Sequence, residues 1–101
     1  MYTYIGLDLH KSTHTAVFLD CFYDRLGEIT FQNKPSAFPG FLTAANKLKM
    51  EGTELLFGLE DTTSFGRTLA VFLTDNDQNV KHVNALCMCQ VIVGKIYFHK
   101  L

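Results

Sequence analysis

The chain has no marked excess of charge of one sign. Nine Lys and Arg stand against ten Asp and Glu, a formal net charge of −1. That excludes a protein held to nucleic acid by bulk positive charge. Cysteine is scarce and odd in number: Cys21, Cys87 and Cys89. Met1-Tyr2-Thr3-Tyr4 places no basic residues ahead of the first apolar stretch, so no secretory signal is expected. The thiols are therefore expected to be free, in a reducing cytoplasm. Long hydrophobic runs are missing too. The stretch from Ala85 to Phe98 is broken by Gln90 and Lys95 and is too short and polar to span a bilayer. No repeat, no Pro/Ser/Gly linker, no P-loop and no G-x-G-x-x-G occurs, so nucleotide binding has no fingerprint. Finally, no Asp or Glu follows Asp77.

What is present is an ordinary globular composition. Of 101 residues, 48% are apolar and 19% charged, enough for one domain with a real core. Tyr4 to Leu9 is short and apolar and reads as a strand. Thr13 to Asp20 is β-branched and aromatic and reads as a second. Cys21 to Asp24 reads as a turn. Leu26 to Gln32 reads as a third strand, with Gly27 a candidate bulge. The period then changes. Phe38, Phe41, Leu42, Ala45 and Leu48 share one helix face, with Ser36 the expected N-cap, Pro39 in the first turn and Gly52 the stop. Glu54 to Glu60 reads as a buried fourth strand. A second helix is expected after the caps Thr62, Thr63 and Ser64, with Phe65, Leu69, Phe72 and Leu73 on its apolar face. It ends at Asn76 to Asn79, and Val80 to Val83 reads as a fifth strand.

The order β-β-β-α-β-α-β predicts an α/β fold. The meander sets neighbours 3-2-1, and right-handed crossovers then place the last two strands in the order 3-2-1-4-5. Strand 2 is antiparallel to the rest, and the winding reverses between strands 1 and 4. Open α/β sheets bind ligands at such a switch point, at the carboxyl ends of the strands.

Two strands end there in matching phrases, Gly6-Leu7-Asp8 and Gly58-Leu59-Glu60. Side chains alternate faces, so each carboxylate shares a face with the glycine two residues before it. On neighbouring strands, roughly 4.8 Å apart, the two acids would converge. Two ionised carboxylates that close repel unless a cation lies between them. Oxygen ligands with double negative charge suit Mg²⁺ or Mn²⁺. The alternative is a pair of solvated strand-end acids. Either way, the pattern alone names no reaction.

Tyr4-Ile5-Gly6-Leu7-Asp8-Leu9-His10-Lys11, followed by Thr13-His14-Thr15-Ala16, resembles the opening of the DEDD transposases of bacterial insertion sequences. This is the insertion sequence one-ten family, which includes the Piv-type DNA invertases. Phe31 to Pro35, Gly58 to Arg67 and Val83-Asn84 fit in order, so the resemblance spans residues 4 to about 84. It implies an RNase H-like, RuvC-like domain, with 1–84 its N-terminal part and 85–101 a divergent apolar tail. By it, Asp8 and Glu60 are the first two catalytic and metal-binding acids of a four-carboxylate site that uses Mg²⁺ or Mn²⁺ for DNA cleavage and transfer. It also implies DNA as partner, with a structured guide RNA in some members.

Departures stand beside the resemblance. The family usually has Gly where Thr63 stands and Pro where Ala85 stands. Its last two acids normally follow the fifth strand in a K-T-D-x-x-D segment, which has no counterpart here. Its second, serine-bearing domain has none either. A truncated fragment, catalytically incomplete, is therefore expected. Exposed apolar surface on such a fragment predicts self-association, and no membrane.

Other residues were weighed in the same way. Cys87-Met88-Cys89 with His82 and His99 has the wrong spacing for structural zinc, and buried thiols are the simpler reading. His10 and His14 flank the exit of the first strand. His10 is a candidate to assist at the metal site or touch a phosphate; a partly exposed structural histidine is the alternative. Lys11 and Arg67 are candidate phosphate contacts, or solvated cations. Thr62 and Ser64 have no His/Asp partner at recognisable spacing. Three function classes remain: a metal-dependent strand-transfer module, a non-catalytic RNase H-fold binding or dimerisation module, and a sugar-kinase-like nucleotide domain, which lacks Gly-rich phosphate loops.

Overall fold

In a computed structural model, residues 1–60 and 64–82 are described. They form one five-stranded sheet with two helices. The strands are β1 (Tyr2–Leu9), β2 (Thr13–Leu19), β3 (Arg25–Gln32), β4 (Glu54–Leu59) and β5 (Asn79–His82). The helices are α1 (Phe38–Leu48) and α2 (Arg67–Asp75). The sheet order is β3-β2-β1-β4-β5. β2 runs antiparallel to β1 and β3, while β4 runs parallel to β1 and β5. The expected fold, topology and winding reversal are all present.

Local chemistry explains the turns. Asp20 closes the β2–β3 connection, its Oδ1 accepting the backbone N–H of Phe22 at 2.8 Å and of Asp24 at 2.9 Å. Tyr23 takes the left-handed conformation there, with φ of 66°. The register between β2 and β3 shifts at Phe18/Leu19, so that Gly27 faces Phe18 and Arg25 faces Leu19. Leu26 is the extra residue, and the expected bulge lies beside Gly27.

Helix boundaries differ from expectation. Ser36 does not cap α1; it lies inside a short 3-10 turn, Pro35–Ala37, and α1 begins without a side-chain cap. Pro35 and Pro39 pre-set this entry instead. α1 ends at Leu48, and Lys49 is already extended. Gly52 serves the following turn, where its φ of 77° favours glycine. α2 starts after Gly66, also without a side-chain cap. Thr62 and Thr63 lie outside the described residues. Phe65 precedes α2 and is 47% exposed, so it is not part of the helix's buried face. β5 begins one residue earlier than expected, and Val83 lies outside the described residues.

Strand alternation sorts the side chains. Ile5, Leu7, Ala16, Phe18, Phe31, Leu55, Phe57 and Leu59 face the two helices and form one core with Phe38, Phe41, Ala45, Leu69 and Leu73. Phe31 stacks on Phe41 with ring centroids 4.0 Å apart, and Phe41 meets Phe57 edge-on at 6.1 Å. The other face carries a smaller cluster of Val17, Leu19 and Leu56 with Tyr2, Tyr4 and Tyr23. At the edge where β4 begins, Met50 N–H donates to Thr3 Oγ1. That hydroxyl lies 2.7 Å from Thr53 Oγ1, which in turn donates to Met50 O.

Phe57 is fully buried on β4, an interior strand of the sheet. Phe57→Ala is expected to cost about 3–5 kcal/mol in urea unfolding. Phe22→Ala, at a side chain 79% exposed, should change stability by less than about 0.5 kcal/mol.

Candidate functional site

The site is built by the pairing of β1 with β4. Gly6 faces Gly58 and Leu7 faces Leu59. Continuing that register by one position sets Asp8 opposite Glu60, at the carboxyl edge of both strands. Leu7 and Leu59 turn into the helix-side core with no exposure. Asp8 therefore belongs to the opposite face, that of Gly6. A shallow groove on that face agrees, lined by Asp8, Thr15, Val17, Arg25 and Glu28. Glu60 is exposed and stands one residue beyond the end of β4. The strand ends that bear the two acids are brought together.

His10 is 62% exposed, and its Nε2 lies 3.1 Å from Asp8 Oδ2, with Asp8 38% exposed. The backbone N–H of His10 donates to His14 Nδ1 at 3.3 Å. Lys11 is exposed in the β1–β2 loop, and Arg67 is exposed in the first turn of α2. Arg67 lines a second shallow groove with Ala70, Val71, Thr74 and Asp75, along the outer side of that helix. The structure thus pairs His10 with Asp8 and leaves Lys11 and Arg67 as separate surface cations.

The remaining described acids lie elsewhere. Asp20 is engaged in its turn, at the far edge of the sheet. Asp75 ends α2, and Asp77 follows it with a φ of 60°, beside Lys49, Glu54 and Asn79 at the edge where β4 and β5 begin. Glu28, overlooked in the sequence, shares the groove with Asp8, but its Oε1 accepts from Arg25 Nη2 at 2.6 Å. Strand alternation could have found it, since Glu28 faces Val17 and Val17 faces Gly6. Among the described residues, no three His, Cys, Asp or Glu side chains gather closely enough to hold a metal ion. Asp61, Cys87, Cys89 and His99 lie outside the described residues.

Two further residues escaped sequence reasoning. Asn33, just after β3, donates its side-chain amide to the carbonyls of His10, Lys11 and Phe65 at 3.4, 3.1 and 3.2 Å. His14 is fully buried on the helix side, its ring 5.6 Å from that of Phe31. With Nδ1 accepting, the neutral imidazole carries its proton on Nε2, which has no partner among the described residues. Burial pushes the His14 pKa below its ordinary value; the neighbouring Asn33 side chain opposes this, His10 adds to it and Asp8 opposes it more weakly.

A model of the DEDD transposases of insertion sequence one-ten, a family described simply as transposase, matches residues 5–97. The chain belongs to that family. The match covers the Asp8 and Glu60 strand ends and runs on through much of 85–101, the segment read as a divergent tail. No curated protein matches this transposase domain. No helix among its described residues is long and apolar enough to cross a membrane.

The buried imidazole carries a pH prediction. The unfolded His14 binds a proton near pH 6.5, whereas the folded one does so only at lower pH. Between those values the unfolded state holds more protons, so stability falls as pH drops below about 6.5. Urea midpoints measured on both sides of that value should show the fall, and His14→Leu should flatten it.

Proposed function

We propose that this transposase domain contributes the first two acids, Asp8 and Glu60, of a divalent-cation site for DNA phosphodiester cleavage and strand transfer. The observation that supports this reading is the parallel pairing of β1 and β4, in register up to Leu7 and Leu59, the residues just before the two acids. The donor set fits Mg²⁺ or Mn²⁺: two carboxylates, both solvent-accessible, on a side-chain-poor stretch of sheet. Mg²⁺ is commonly held by one or two carboxylates completed by waters and substrate phosphates. When bound, divalent cations activate the attacking oxygen and stabilise the leaving one.

Asp8 and Glu60 would supply the negative charge that retains the cation. His10, beside Asp8 Oδ2, orients that carboxylate. Lys11 and Arg67 would meet phosphates and fix the register of the strand without reading its sequence. With a net charge of −1, DNA affinity must rest on such placed contacts. Self-association, expected from exposed apolar surface, and a guide RNA, suggested by the family resemblance, remain part of this reading.

The 101 residues are incomplete as a catalyst in this reading. Asp20, Asp75 and Asp77 stand at the opposite edge, Glu28 is held by Arg25, and no acid follows Asp77. The described acids therefore leave the proposed cation site with two carboxylates. Purified chain with Mn²⁺ should therefore leave supercoiled plasmid intact. Nicking that is lost in Asp8→Ala would show the site to be completed within the chain. Lys11→Ala and Arg67→Ala should each lower the slope of log binding constant against log salt by about one unit. An unchanged slope would remove that residue from the DNA contact.

A further inference from the structure

We propose that Asn33 is the positioning residue of this site: its side-chain amide fastens the β1–β2 loop to the segment after Glu60 and so fixes the separation of the strand ends that present Asp8 and Glu60. This rests on the reading of those two acids as cation ligands.

The need for such a residue follows from where the ladder stops. The β1–β4 register ends at Leu7 and Leu59. Asp8 remains tethered on its other side, facing Thr15 of β2. Glu60 stands past the last strand residue, and the pairs of Leu59 with Leu7 and His82 are the last of the ladder beside it. Beyond Glu60, a bond outside the ladder ties the chain to the β1–β2 loop.

Asn33 supplies that bond. Two N–H groups meet three carbonyl oxygens: those of His10 and Lys11, adjacent in the β1–β2 loop, and that of Phe65 on the far side of Glu60. One hydrogen is shared by the adjacent pair, and the other reaches Phe65. Three acceptors around one atom also settle which end of the amide is nitrogen, because an oxygen there would meet only acceptors. Asn33 is itself anchored. Its backbone N–H donates to Ser12 O at 2.8 Å, and Lys34 N–H donates to Gln32 O at 2.9 Å. Pro35 then holds Lys34 extended, at φ −150° and ψ 146°. The amide thus projects from a rigid base and joins three separate pieces of chain. The neighbouring side chains Gln32 and Lys34 are exposed.

Partners that orient metal ligands typically change metal affinity by about 10- to 100-fold when removed. The test uses the full chain, ¹⁵N-labelled, with Mn²⁺ as probe. In the unsubstituted protein, Mn²⁺ should broaden the amide signals of Asp8 and Glu60 at the same concentration. Asn33→Ala should keep broadening at Asp8, lose it at Glu60, and weaken binding about tenfold. Thr53→Val breaks a buried hydroxyl contact at the opposite edge; it should lower stability and leave Mn²⁺ binding unchanged. Equal broadening of both signals in Asn33→Ala would overturn the proposal.

A second arm needs no metal. The His10 N–H bonds His14 and the Arg67 N–H bonds Ser64 O. In Asn33→Ala both should exchange with solvent faster, by roughly tenfold for the loss of one hydrogen bond's stabilisation. The Glu54 N–H, bonded to Met1 O at the far edge, should not change. Unchanged exchange at either His10 or Arg67 would overturn the clamp. Broadening that survives Asp8→Asn would instead overturn the cation reading and leave the exchange arm to decide the clamp.

Discussion

The parallel pairing of β1 with β4 is the constraint on which the rest depends. Among the described residues it is the place where the winding of the sheet reverses, and it includes the central strand β1. Its register matches Gly6 to Gly58 and Leu7 to Leu59. Because side chains alternate, that single alignment does two things at once. It drives both leucines into the helix-side core, and it brings the strand ends that carry Asp8 and Glu60 side by side. A slip of one residue would put an acid into the apolar core and a leucine beside the site, so packing and chemistry select the same register.

The two faces of the sheet divide the work. The helix side gathers the aromatic residues, with Phe31, Phe38, Phe41 and Phe57 linked by ring contacts. The other side carries the groove with Asp8, Thr15, Val17, Arg25 and Glu28 toward one edge, and tyrosines toward the other. Within that second cluster, partial burial raises the Tyr4 pKa, and its neighbours Tyr23, Cys21 and Tyr2 add to the effect. A rigid, apolar base beneath the site limits how far the strand ends can move, which is what a pair of repelling carboxylates requires.

Much of this was legible in the sequence because it depends on short-range periodicity. The period-2 segments and the change to a helical period after Pro35 were sufficient for the strand order, with β1 beside β4. The features that escaped notice depend on contacts distant in sequence. Ser36 and Ser64 are good caps by type, yet α1 enters through a 3-10 turn and α2 follows Gly66, so neither helix begins with a side-chain cap. His14 has the same chemistry as His10 and stands only four residues away. One is buried and the other exposed because His14 faces Phe31 across the ladder while His10 lies in the loop. Asn33 lay within a recognised family stretch, but nothing local reveals that its amide reaches chain as far away as Phe65.

Charge completes the argument. A cation site at a sheet edge concentrates negative potential, and DNA brings more of the same sign. With a formal net charge of −1, the domain has no general field to offset that repulsion. In the proposed site the cation would serve binding as well as chemistry, joining carboxylate to phosphate. Lys11 lies in the loop that leaves the Asp8 strand, and Arg67 lies in the helix that follows Glu60. Each stands downstream of one acid, on a segment that Asn33 ties to the other. Under the proposed function, the placement of these few groups would decide whether phosphate, cation and carboxylates meet.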